Sequence, residues 1–105
     1  MGLLYRPPVV DKALIETPDP ELLAAAEDEL QTACSLSWRE LSRVTPWGDD
    51  WEGFGPNGSP VRFERNYIWV DGEGGDILCE VRVYRGESRY DRGAVASRVI
   101  ARPGV

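Results

Sequence analysis

Apolar residues return every three or four positions between Pro20 and Ala33 and every second position after Pro60, so the pattern changes period in mid-chain. The first period suits a helix that buries one stripe, the second strands that bury one face. Leu22, Ala26, Leu30 and Ala33 make the stripe, in a segment rich in alanine, leucine and glutamate, which predicts a helix over about Pro20–Ala33. Asp19 stands where it can cap that helix. Pro20 suits the first helical position, where its fixed φ is pre-set and its missing N–H would have no partner anyway. Ser37 followed by Glu40 is a capping box, flanked by Leu36 and Leu41 at staple spacing, and predicts a short second helix from Trp38 to Val44, ended before Pro46.

Asp49 to Gly55 reads as a short strand or loop, and Pro56-Asn57-Gly58-Ser59 as a tight turn that exploits the positive φ of an Asn-Gly pair. Val61, Phe63, Tyr67 and Trp69 then share one face with Arg65, opposite Arg62, Glu64, Asn66, Ile68 and Val70. After the polar turn Asp71–Asp76, Ile77, Cys79, Val81 and Val83 alternate with Leu78, Glu80, Arg82 and Tyr84. A polar loop, Arg85 to Gly93, leads to a last strand over Ala94–Ala101. These elements predict an α+β domain over residues 17–105, with two N-terminal helices packed on one face of a three- or four-stranded antiparallel meander sheet. Residues 1–16, with Leu3, Leu4 and Tyr5 ahead of Pro7 and Pro8, read as an extended arm or edge strand.

Composition sharpens this picture in two places. With 105 residues, 42% hydrophobic and 29% charged, the chain has the size and balance of one folded domain. All four tryptophans fall between positions 38 and 69, so the folded centre is expected at residues 36–84. No run approaches the roughly 20 apolar residues of a membrane span and no leader-like segment opens the chain, which together predict a cytoplasmic protein without a membrane partner. Cys34 and Cys79 lack a close pair spacing and read as reduced thiols in apolar surroundings.

There is no histidine, which removes the commonest general base and the commonest imidazole metal ligand together. Asp49 and Asp50 are adjacent, so in a strand they point to opposite faces and cannot work as an acid/base pair. Asp71–Asp76 lacks the order of a calcium loop, with Asp76 where its invariant glycine would stand, and its glycines are followed by no phosphate-binding helix. Cys79 has no activating neighbour. No catalytic residue, metal ligand or cofactor is therefore expected.

The net charge of −6 is unevenly spread: residues 1–80 carry 16 acids against 6 bases, residues 81–105 six arginines against Glu87 and Asp91. The two segments either neutralise each other across the fold or mark faces for oppositely charged partners. The arginines after position 81 are too few in an acidic chain to predict direct nucleic-acid binding. The candidate interaction surface comprises the acidic helix face Glu27, Asp28 and Glu29 with the aromatic–acidic segment Trp47, Asp49, Asp50, Trp51, Glu52 and Phe54, since aromatic anchors amid polar neighbours favour binding hot spots. The expected function is that of a non-catalytic interaction domain, an inhibitor or adaptor covering a basic, nucleic-acid-binding type of surface on a protein partner, as phage-type inhibitors of bacterial defence do. The alternative is a small-ligand or peptide module with Trp51, Tyr67 and Trp69 as cleft walls.

Overall fold

Asp19 accepts a hydrogen bond from the Glu21 amide at 2.9 Å, and Pro20 opens the helix behind it. The computed structural model describes residues 19–86 and 93–104; the expected arm at residues 1–16 and most of the loop between 85 and 93 lie outside them. Helix α1 spans Pro20–Ala33 and helix α2 Trp38–Ser42. They are followed by strands β1 (Trp47–Phe54), β2 (Pro60–Trp69), β3 (Ile77–Tyr84) and β4 (Gly93–Ile100). The strands form one antiparallel sheet in the order β1-β2-β3-β4. This is an α+β architecture, a four-stranded meander with helices against it.

Buried residues follow the two periods. Leu22, Ala25, Ala26, Leu30 and Ala33 of α1 meet Ile77, Cys79, Val81 and Val83 of β3 and Ala94 and Ala96 of β4. Each large apolar side chain closed off this way is worth about 1.5–3 kcal/mol. Helix α1 therefore sits mainly over β3 and β4, reaching β2 at one buried point where the Tyr67 hydroxyl donates to the Ala33 carbonyl at 2.9 Å.

Helix α2 has the expected capping box, the Ser37 hydroxyl accepting from the Glu40 amide and the Glu40 carboxylate from the Ser37 amide. It ends at Ser42, two residues short of the expected Val44, because the Val44 and Thr45 amides both turn back to the Leu41 carbonyl. Leu41 is fully buried and anchors this turn, whereas Leu36, its expected staple partner, is exposed. The Trp38 indole donates to the Gly75 carbonyl at 2.8 Å, which ties α2 to the β2–β3 turn. Gly58 and Gly74 supply left-handed residues in the β1–β2 and β2–β3 turns, with φ of 88° and 89°.

The segment expected as a short strand or loop is a full strand, β1, paired over all eight residues with β2. Its carboxylates and glycines hid the alternation that the pairing reveals. The last strand starts one residue earlier than expected, at Gly93, where a Cβ would stand 2.5 Å from the Val83 carbonyl oxygen and so could not fit. Among the described residues no helix is long and apolar enough to cross a membrane.

Candidate interaction surface

The β1–β2 register decides what the expected surface residues do. It sets Trp47, Asp49, Trp51 and Gly53 opposite Tyr67, Arg65, Phe63 and Val61, on the side that carries α1. Asp50, Glu52 and Phe54 lie on the other side, opposite Glu64, Arg62 and Pro60. The nine expected residues are thus divided between two faces of the sheet.

On the α1 side, Trp47 stacks on Tyr67 with ring centroids 5.7 Å apart, and Trp51 on Phe63 at 5.3 Å and 8° between planes. Cross-strand aromatic pairs of this kind hold an edge strand that neither α1 nor α2 covers. Arg65 lies between the two tryptophans, its guanidinium carbon 5.1 Å from each ring centroid. Its Nε and Nη2 donate to both oxygens of Asp49, at 3.3 and 3.2 Å, and its Nη1 lies 3.7 Å from Glu29 of α1. Planarity suits the guanidinium to both tasks, stacking on rings and forking to a carboxylate.

The electrostatics there remain negative. Burial lifts the Glu29 carboxyl above its usual range; Arg65 opposes the rise, while Asp28 and Asp49 add to it. Two carboxylates, Glu29 and Asp49, thus share a single guanidinium, and Asp28 adds a further negative charge near Glu29. Glu27 and Asp28 stand exposed on α1, with no ion pair among the described residues, and Trp47, on the far side of Arg65, is 40% exposed. Helix, edge strand and aromatic shelf make one acidic surface.

On the opposite side, Arg62 donates to Glu52 at 3.0 Å and approaches Asp50 at 3.5 Å. Phe54 is 71% exposed above an open groove of roughly 370 Å³ lined by Glu52, Gly53, Val61, Arg62 and Arg85. The Arg85 guanidinium is itself engaged, donating to Glu21 at 2.6 Å, Asp19 at 2.8 Å and the Ser59 hydroxyl at 3.0 Å. Its hydrogen bonds hold the Asp19 and Glu21 carboxyls below their ordinary range. With Arg82 facing Glu64 at 3.8 Å, two arginines of the basic segment pair with acids of the acidic one.

The proposed cleft walls have separate neighbours: Trp51 lies on Phe63, Tyr67 is buried against α1, and Trp69 packs at 6.4 Å against Trp38. Among the described residues no group of three His, Cys, Asp or Glu side chains converges as a metal would require. Sequence reasoning did not include Arg65 in the surface. Its signal was present, as the one charge in the otherwise apolar face of Val61, Phe63, Tyr67 and Trp69. No protein-family model, curated protein or solved structure matched this chain when it was compared with each.

Proposed function

We propose that this chain is a non-catalytic interaction domain that covers a basic surface of a protein partner, using the α1 side of β1 rather than all nine expected residues. The observation that carries this reading is the pairing of Glu29 and Asp49 with one arginine, with Asp28 adding negative charge near Glu29, on the face where Trp47 is half-exposed and on a helix that also exposes Glu27. Unbalanced carboxylates steer a basic partner and set its register, and an exposed indole beside them offers a cation–π contact to an incoming lysine or arginine. A surface of this composition suits a groove that otherwise holds nucleic acid, so inhibition by occupation is the expected consequence. Asp50, Glu52 and Phe54 face away and fall outside this surface. The small-ligand alternative has weaker support, since each of its aromatic walls is taken by a different neighbour.

The test is capture from lysate by the intact chain, eluted in steps of rising salt, followed by competition with duplex DNA at low salt. A basic protein released by salt and displaced by DNA is the expected result. The pair of substitutions Glu27→Lys and Asp28→Lys should abolish capture, while Asp71→Lys with Glu73→Lys, the same change of charge in the β2–β3 turn, should leave it. Equal loss from both variants would reduce the effect to net charge and remove the case for this surface.

A further inference from the structure

Cys34 and Cys79, 45 positions apart, are the only cysteines of the chain, and the fold brings them together. Three independent features set their approach. Cys79 lies at the centre of β3, fully buried, with Tyr67 of β2 as its cross-strand partner. The Tyr67 hydroxyl reaches the carbonyl of Ala33, the residue before Cys34. Cys34 caps the C-terminus of α1, its amide donating to the Leu30 carbonyl at 2.9 Å, and its half-exposed side chain packs against the core. The two side chains lie close enough for Cys34 to raise the pKa of the Cys79 thiol.

We propose that Cys34 and Cys79 form an oxidative modification site, a thiol pair that a peroxide converts into an intramolecular disulfide joining the end of α1 to the centre of the sheet. Cys34, the thiol that solvent reaches, attacks the peroxide as its thiolate: an S–O bond forms, the O–O bond breaks, and hydroxide leaves. Cys79 then attacks the sulfenic sulfur of Cys34 as its own thiolate, forming the S–S bond and expelling a second hydroxide. Two thiols are oxidised by two electrons, one peroxide is reduced, and the two thiol protons with the two hydroxides give two waters. The order follows from exposure. Burial, with the neighbouring Cys34, pushes the Cys79 thiol up to about 12, so the second step is slow near neutrality and quickens as pH rises.

Closing a loop of about 45 residues removes enough freedom from the unfolded chain to raise the folding equilibrium constant about a thousandfold, if the bond forms without strain. The experiment treats the full chain with hydrogen peroxide at low protein concentration and reads intact mass, thiol content after unfolding, and thermal midpoint. The expected product is a monomer about 2 Da lighter, without alkylatable thiol, melting more than about 10 °C higher, and restored by reductant. Cys34→Ser should resist oxidation, and Cys79→Ser should stop at the sulfenic acid or its further oxides. A wild-type product about 16 or 32 Da heavier with Cys79 still alkylatable, a dimer linked through Cys34, or a cross-linked monomer that melts lower would each overturn the proposal. If Cys79→Ser does not fold, Cys34→Ser at the half-exposed position still provides the control.

Discussion

Replacing Arg65 with methionine keeps most of the aliphatic stem but removes the group that joins helix, edge strand and aromatic shelf. The guanidinium stacks on two rings, each contact worth about 0.5–1 kcal/mol at a partly exposed site, and forks to Asp49, a pair worth about 0.2–1 kcal/mol where solvent still screens it. Removing it leaves Glu29 and Asp49 facing each other without a counter-charge, in a place where burial already raises the Glu29 pKa. The expected loss is about 2 kcal/mol. Urea unfolding followed by tryptophan fluorescence measures it, because Trp47 and Trp51 both lie against the substituted side chain. A double-mutant cycle with Asp49→Asn should show a coupling of roughly 0.5–1 kcal/mol between the two positions. A loss below about 0.5 kcal/mol with no coupling to Asp49 would refute the view that Arg65 fastens β1, and would leave strand pairing and the two aromatic stacks as its support.

Other outcomes follow from the same geometry. Asp19 and Glu21 have carboxyl pKa values depressed by Arg85 from ordinary values of 3.8 and 4.5, so their contribution is present above those values and lost as pH falls through the lower folded ones. Arg85→Ala should therefore flatten the loss of stability between neutral and acid pH, seen in denaturant midpoints across that window. Glu29 has the opposite sign: its raised pKa costs stability as pH climbs from 4.5 through the folded value, so Glu29→Gln should gain on the wild type over that climb apart from the lost Arg65 pair, and the gain should vanish below it. Tyr67→Phe leaves the Ala33 carbonyl without its buried donor and should cost about 1–3 kcal/mol in chemical denaturation. Gly93→Ala drives a methyl against the Val83 carbonyl oxygen and should lower the melting temperature, whereas Gly72→Ala, whose Cβ meets nothing within 4 Å, should leave it nearly unchanged.

The local elements were legible because their causes are local. A capping carboxylate at Asp19, a proline one residue on, a capping box at Ser37 and Glu40 and a period of two around Phe63 and Val81 act over four residues or fewer. Such features survive in any fold that contains them. Where a local cue competed with a tertiary one, the ends shifted: α2 stopped at Ser42, and β1 became a strand although three of its eight residues are Asp or Glu. Pairing with β2, rather than any preference of its own, makes that segment extended.

What the sequence determined by itself was the helices, the last three strands, their order, and an acidic chain without histidine chemistry. Which acids act together was decided by tertiary structure, because a register of one residue places Asp49 beside Arg65 and α1 while Asp50 faces the other side. The nearness of Cys34 to Cys79 was decided there too, through helix packing and the Tyr67 hydrogen bond. The physical reason is the same in both cases: contacts between residues 16 or 45 positions apart exist only once the intervening chain has been ordered by burial, and no local pattern records that closure.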